Sequence, residues 1–268
     1  MPVLVHAAHR APARALARRL LEDGGQIRAT AKDGVGSLRA EGIFTASCDP
    51  DDEGTLEAAL TRVHTLVVML GGLGWDDHDA VIREGQVAAR AAEGAAVERA
   101  ILVTLAGSDE RASDPLRRAH GIVANAFAAL PLPSIEVRTG LVVTPRATDV
   151  LVTAGLSPEE RAVTVAPVML EDLIELIVAI DHARSRASDG HLVVAADGLT
   201  RCTLDEHLAT TDVHRASERS SGRLTGRRVP TASARDALRA TLPGPWWTED
   251  PTIPDAWSLF SVTRTAPA

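Results

Sequence analysis

Short strand-like runs alternate with amphipathic helical segments along the first 140 residues. The strand patterns, several of them continuously apolar, lie at 3–6, 26–31, 65–70, 100–105 and 135–138. Helical spacing of apolar residues fills the gaps at 12–21, 56–60, 79–96 and 115–130. Continuous apolar strands are typical of a parallel sheet covered on both faces. The alternation therefore predicts an α/β fold with a doubly wound parallel sheet.

The pattern loosens after Gly140. A strand near 163–165, a helix from Leu170 to Ala183 and a strand at 191–195 follow, and we expect them to form a smaller C-terminal substrate lobe. The change of pattern predicts a Rossmann-type body at residues 1–140. Residues 141–268 are predicted to form the smaller substrate lobe and a C-terminal tail, interleaved with the body. Residues 209–268, rich in Arg, Ser, Thr and Pro, are predicted to be an irregular tail packed back on the body.

Composition narrows the class of protein. The chain is 45% hydrophobic and 24% charged, as in ordinary globular proteins, and it has no apolar run near the ~18 residues of a membrane span. Its net charge of -8 argues against nucleic acid as a partner. The start of the chain shows no secretory signal, so a cytoplasmic location is the expectation. The expected partner is a small-molecule substrate. The oligomeric state stays open, with a homodimer as one option.

Two further features of composition limit the chemistry. Cys48 and Cys202 are far apart and show no zinc-ligand spacing, so no metal site is predicted. The segment from His214 to Arg239 holds seven arginines against two acidic residues. It is either a solvated face that leans on an acidic body or an anion-recognition patch.

Four collinear stretches carry a resemblance to a known family. They are VLVHAAHRAPARALARRLLEDG, CDPDDEGTLEAAL followed by HTLVVMLGG, VAPVMLEDLIELIVAI, and GHLVVAADGLTRCTLDEHL. In this order they resemble the extended or atypical short-chain dehydrogenase/reductase (SDR) family, including its epimerase-like and NmrA-like branches. The resemblance covers roughly residues 1–208, and it implies an NAD(P)-binding Rossmann fold.

The chain departs from that family at the positions that serve the cofactor. The three glycines of the family's first turn are replaced by Ala7, Arg10 and Ala13. Arg10 puts a long side chain where phosphate would meet the helix N-terminus, so the usual dinucleotide pose is not expected. The alternative is that Arg10 itself clamps a phosphate. If a dinucleotide binds, the resemblance assigns Lys32 to the 2′-phosphate of NADP and Asp49 to the adenine side.

The family's catalytic pair is missing as well. Its tyrosine and lysine positions correspond to Leu116 and His120, and the chain contains no tyrosine and only one lysine, Lys32. Thr104 is the remnant of the serine or threonine that the family carries at the end of the fifth strand. The sequence therefore favours no cofactor, and NADP if there is one.

Imidazoles and carboxylates follow the strands at the edge where ligands bind in such sheets. The predicted catalytic set is His120, His6, Thr104, Asp109 and Asp76. A histidine that moves a proton beside a carboxylate suits dehydration, isomerisation or cyclisation, none of which needs a hydride.

Three functions stay open from the sequence. The first is a cofactor-independent acid/base enzyme, and the arginine- and alanine-heavy composition, which resembles that of GC-rich bacteria, suggests specialised metabolism. The second is an NADP(H)-dependent reductase of atypical SDR type. The third is a non-catalytic, NmrA-like sensor or binding protein.

Overall fold

The computed structural model of the chain describes residues 2–70, 78–144, 156–183, 190–209 and 247–264. The described strands are β1 Val3–Val5, β2 Ile27–Ala31, β3 Phe44–Ser47, β4 Thr65–Met69, β5 Arg99–Leu105, β6 Ser134–Thr139, β7 Val142–Val143, β8 Thr164–Val165, β9 Val168–Met169, β10 His191–Ala196 and β11 Cys202–Thr203. The described helices are α1 Ala11–Glu22, α2 Val35–Ala40, α3 Glu53–Leu60, α4 His78–Gly94, α5 Pro115–Ala128, α6 Pro158–Arg161, α7 Leu170–His182 and α8 Ala256–Leu259.

Seven parallel strands form the central sheet in the order β10-β6-β5-β4-β1-β2-β3. One apolar layer packs α1 and α7 against the first face, and a second packs α3, α4 and α5 against the other. The predicted doubly wound parallel sheet is confirmed. The strand order reverses between β1 and β4, and in open α/β sheets a crevice forms at that switch point.

Aspartate side chains cap the N-termini of two helices, whereas α1 has no such cap. Asp52 caps α3 by accepting hydrogen bonds from the backbone N–H groups of Gly54 and Thr55. Asp114 caps α5 in the same way through the N–H of Arg117. Helix α1 begins after Arg10, which makes no side-chain cap. The first turn of α1 is therefore left with backbone N–H groups that no cap satisfies.

Two glycines bring backbones into close contact around α5. A Cβ on Gly85 would overlap the side chain of Val123, so α4 lies directly on α5. A Cβ on Gly121 would overlap the backbone of Asp109 and Glu110, so the loop after β5 lies flat on α5. This loop helps to bury the part of α5 beside Gly121.

The C-terminal residues 247–264 pack on the edge strand β10, as the sequence predicted for the tail. The backbone N–H of Ala195 donates to the carbonyl of Pro254 at 2.9 Å, and the indole N–H of Trp257 donates to the carbonyl of Asp197, also at 2.9 Å. The arginine-rich segment 214–239 lies outside the described residues, and the domain division at residue 140 stays a prediction. Within the described ranges, no helix is both long and apolar enough to cross a bilayer.

Candidate active site

A polar cluster occupies the switch point between β1 and β4. Arg10, the residue before α1, donates to both carboxylate oxygens of Glu84 on α4, at 2.7 Å each. Nε2 of His6, at the end of β1, lies 3.1 Å from Oε1 of the same carboxylate. The other ring nitrogen of His6 lies 3.0 Å from the hydroxyl of Thr30 on β2. We call His6, Arg10, Thr30 and Glu84 the switch-point cluster.

His6 lies close to the carboxylate of Glu84, although the Nε2–Oε1 separation of 3.1 Å is not aligned as a hydrogen bond. A carboxylate only accepts, so a proton on Nε2 is favoured by the nearby negative charge. Nδ1 then accepts from the Thr30 hydroxyl, whose oxygen accepts the backbone N–H of Ala7 at 3.1 Å. Burial opposes ionisation of Glu84, but His6 and Arg10 outweigh it and lower the pKa of Glu84 to about 2. The cluster therefore holds a carboxylate anion throughout the physiological pH range.

The residues at this turn do not fit the diphosphate of a dinucleotide. Ala7 takes the left-handed conformation, with φ at +54°, which the family assigns to a glycine. Pro12 in the first turn of α1 removes one of the N–H groups that could face a phosphate. The guanidinium of Arg10 already donates two parallel hydrogen bonds to Glu84, so its charge is paired with a carboxylate.

A second polar cluster lies on the sheet face beneath α5. Glu136, in the middle of β6, is fully buried. It accepts from the hydroxyl of Thr104 at 2.7 Å and from Arg138 at 3.0 and 3.2 Å, and Nε2 of His191 lies 3.5 Å away. Burial raises the pKa of Glu136, but His191, Arg138 and Thr104 outweigh it, and the net pKa is lowered. Glu136 is therefore a buried carboxylate that stays ionised.

His120 on α5 is the residue of this region that stands out chemically. Its side chain is 2% exposed, and neither ring nitrogen has a hydrogen-bond partner within the described part of the chain. Complete burial lowers the pKa of His120 to about 4, while the charge of Glu136 acts in the opposite direction and His78 adds to the lowering. His120 is therefore neutral at pH 7, with one nitrogen lone pair free to accept a proton.

Two further buried polar atoms border His120. Nε2 of His78, the first residue of α4, and Oδ2 of Asp114 have no partner among the residues that the structure describes. The charge of His78 acts on the pKa of both His120 and Asp114, lowering that of His120 and opposing the burial that raises that of Asp114. We call Thr104, Glu136 and His120, with these two groups, the α5 cluster.

The structure separates the predicted catalytic residues into distinct sets. His6 belongs to the switch-point cluster, whereas His120 and Thr104 belong to the α5 cluster. Asp109 is exposed and closes a turn by accepting the N–H of Arg111 at 2.7 Å. Asp76 lies outside the described residues. The hydroxyl of Thr104 is bonded to Glu136, so Thr104 positions that carboxylate.

The predicted cofactor residues Lys32 and Asp49 form a surface pair. The ammonium of Lys32 lies 3.2 Å from Oδ2 of Asp49, and about half of each side chain is exposed. Their assignment to NADP stays a prediction. Among the described residues, no group of three or more His, Cys, Asp or Glu is arranged to hold a metal ion.

Solved structures with the same architecture superpose on almost the whole chain. A nucleoside-diphosphate-sugar epimerase from Staphylococcus aureus matches with a TM-score of 0.73 and 11% identity, over 99% of this chain and 98% of that one. Triphenylmethane reductase from Citrobacter sp., complexed with NADP(H), matches with a TM-score of 0.71 and 15% identity, over 98% and 96%. The chain has the fold of an atypical short-chain dehydrogenase/reductase.

A third SDR-type structure extends the comparison. MoeE5 in complex with UDP-glucose and NAD matches with a TM-score of 0.69 and 17% identity, over 100% of this chain and 94% of that one. At these identities the likeness concerns the fold. No protein-family model and no curated protein sequence matches the chain.

Glu84 and Glu136 were missed by the sequence prediction, although both leave a signal. Glu84 falls in the apolar stripe of α4, between Val81 and Ala88, where a carboxylate is unusual. Glu136 interrupts the buried strand β6. A lone acid at such a position is rarely buried without a charged partner, so each one predicts a polar network.

Proposed function

We propose that this SDR-type chain is an enzyme that performs acid/base chemistry on a small molecule without a nicotinamide cofactor. The named proteins that share its fold are epimerases and a reductase, which supports an enzyme. The observation that carries the proposal is the buried imidazole of His120, whose ring nitrogens have no hydrogen-bond partner among the described residues. A buried polar group without a partner costs about 1–3 kcal/mol of stability, which favours a functional reason for keeping it.

The proposed chemistry follows from the surroundings of His120. The neutral ring accepts a proton from the substrate, and the imidazolium that forms is stabilised by the buried negative charge of Glu136. Thr104 and Arg138 hold that carboxylate in place by hydrogen bonds. His120 then returns the proton to another atom of the same molecule. Such a transfer accomplishes isomerisation, dehydration or cyclisation with no net oxidation.

Proton transfer in heavy water tests this proposal. The protein is incubated in D₂O with a panel of small hydroxyketones and β-hydroxycarbonyl compounds, and deuterium incorporation next to the carbonyl is followed by NMR. We expect incorporation without added dinucleotide, and a loss of about 10²-fold or more in His120→Gln, which cannot shuttle a proton.

A second buried histidine provides the control. His64 lies at the opposite edge of the sheet, before β4, and His64→Gln should keep the exchange rate of the parent protein. Equal rates in the parent and in His120→Gln would contradict the proposed base. Turnover that requires NADPH would contradict the whole proposal.

The second candidate is an NADP(H)-dependent reductase, favoured by one observation. Lys32 stands at the end of β2 with half of its side chain exposed, where a basic residue can meet a 2′-phosphate. Calorimetric titration with NADPH separates the candidates, because micromolar binding with hydride transfer belongs only to the reductase.

A further inference from the structure

We propose that Glu84 is an internal anion that takes the place of a diphosphate at the switch point, and so determines that this chain rejects dinucleotides. The corollary is a latent site for diphosphate esters on Arg10, which opens when the carboxylate is removed. This inference rests on the proposed function, since it names the residue that makes the chain independent of a dinucleotide.

The first support is position. Arg10 directly precedes α1, and α1 begins at the carboxyl end of β1, beside the point where the strand order reverses. Anions bind at such helix N-termini because unpaired N–H groups point at them. Glu84 reaches Arg10 from α4, the helix that follows β4, so the ion pair spans the crevice from one side to the other.

The second support is the chemical match between the carboxylate and a phosphate. A guanidinium binds either group through two parallel hydrogen bonds, and Glu84 makes both of them at 2.7 Å. Glu84 therefore uses the donors that a diphosphate would need. His6, whose other ring nitrogen lies 3.0 Å from the Thr30 hydroxyl, places Nε2 3.1 Å from the same carboxylate.

The third support is charge. The side chain of Glu84 is 4% exposed, so its negative charge acts in a region of low dielectric. A diphosphate entering the crevice would meet this fixed anion, and the one arginine of the cluster, Arg10, already has its charge paired with Glu84. Both effects disfavour binding, and both are removed with the single carboxylate.

Binding to charge variants tests the assignment. Purified parent protein and Glu84→Gln are titrated by calorimetry with inorganic pyrophosphate, ADP and NADPH. We expect no saturable binding to the parent, and saturable binding of all three ligands to Glu84→Gln with an affinity at least about ten-fold above the detection limit. The double variant Arg10→Gln/Glu84→Gln should lose the gain, because the guanidinium is the proposed ligand.

Glu41, the residue after α2, gives a matched control because its partners are two arginines of helix α1. It pairs with Arg14 and Arg18 of α1, so Glu41→Gln makes the same change of charge and frees two arginines away from the switch point. An equal gain in Glu41→Gln would overturn the assignment, since it would show a general charge effect.

The outcomes separate this inference from the proposed function. Tight NADPH binding by the parent protein overturns both. No binding by the parent and none by folded Glu84→Gln overturns only the role of Glu84.

The variant Glu84→Gln is expected to fold. Arg10 keeps a quarter of its side chain exposed, so water can hydrate the freed guanidinium. If Glu84→Gln fails to fold, Glu84→Met replaces it under the same criteria.

Discussion

Ala7 keeps a glycine conformation without being glycine. Its φ of +54° places a Cβ in the left-handed region, which costs roughly 1 kcal/mol for a residue other than glycine. The N–H of Ala7 donates to the hydroxyl oxygen of Thr30, and Arg10, at the end of the turn, is held by Glu84 of α4. The cluster thus holds the turn in a shape that the sequence alone disfavours.

Replacing Ala7 by glycine should therefore stabilise the protein. We expect Ala7→Gly to raise the free energy of unfolding by up to about 0.5 kcal/mol, because the relief of strain slightly outweighs the extra entropy of an unfolded glycine. Urea denaturation followed by tryptophan fluorescence measures the change. The neighbouring Ala8→Gly, at a buried site with ordinary φ, should destabilise by about 1 kcal/mol. A loss of stability in Ala7→Gly would contradict the assigned strain.

At the level of single residues, the sequence predicted which groups are present but not how they pair. His6 and His120 were predicted as catalytic residues, and both are buried. The carboxylates whose charge acts on them, Glu84 and Glu136, come from α4 and β6, about 78 and 16 residues away in the chain. Periodicity carries no information on such pairing, so the separation into two clusters was not foreseen.

Helix α7 is attached to the sheet by a buried ion pair. Arg99 on β5 donates to Asp181 at 2.5 Å, and the hydroxyl of Thr65 on β4 donates to the same carboxylate at 3.0 Å. The two charged side chains are only 4% and 5% exposed. The end of α7 is therefore fixed to two central strands.

Breaking this pair should weaken the whole fold. We expect Asp181→Ala to lower the free energy of unfolding by about 3–5 kcal/mol, because it leaves Arg99 buried without its counterion. Glu175→Gln, which removes the exposed pair between α7 and Arg19 of α1, should cost less than about 1 kcal/mol. Similar losses in the two variants, measured by urea denaturation, would show that burial does not distinguish them.

Secondary-structure elements were predicted with uneven success. The long periodic helices α4 and α5 and the apolar strands β4 and β5 were located to within two residues. The pattern gave no sign of α2, and β3 entered only through the resemblance. Both elements are short. In addition, β3 is an edge strand whose Phe44 is 65% exposed, so its sequence does not alternate clearly between buried apolar and exposed polar residues.

At the scale of the whole molecule, the side chains of His120 and Asp197 have opposite effects on how the free energy of unfolding changes with pH. Burial lowers the pKa of His120 from 6.5 to about 4, so the unfolded chain takes up this proton first as the pH falls. His120 thus adds stability above pH 6.5 that is lost toward pH 4. Burial raises the pKa of Asp197 from 3.8 to about 6, so Asp197 adds stability at low pH that is lost as the pH rises through 6.

Replacing His120 and replacing Asp197 should therefore change the slope of the free energy of unfolding against pH in opposite directions. In His120→Leu the free energy of unfolding should fall with rising pH relative to the parent, and in Asp197→Asn it should rise. Each change in slope is at most about 1.4 kcal/mol per pH unit. Urea denaturation at several values between pH 4 and pH 6.5 checks both. Profiles parallel to that of the parent would show that these groups titrate alike in the folded and unfolded chains.

Helix α4 carries residues of both polar clusters. Helix α4 carries His78 at its first residue and Glu84 six residues later, and Gly85 lets it rest directly on α5 at Val123. His78 and Glu84 are therefore separated by about 9 Å along one continuous helix axis. A shift of α4 against α5 would change the position of the carboxylate that binds Arg10 and of a residue near the proposed base at the same time.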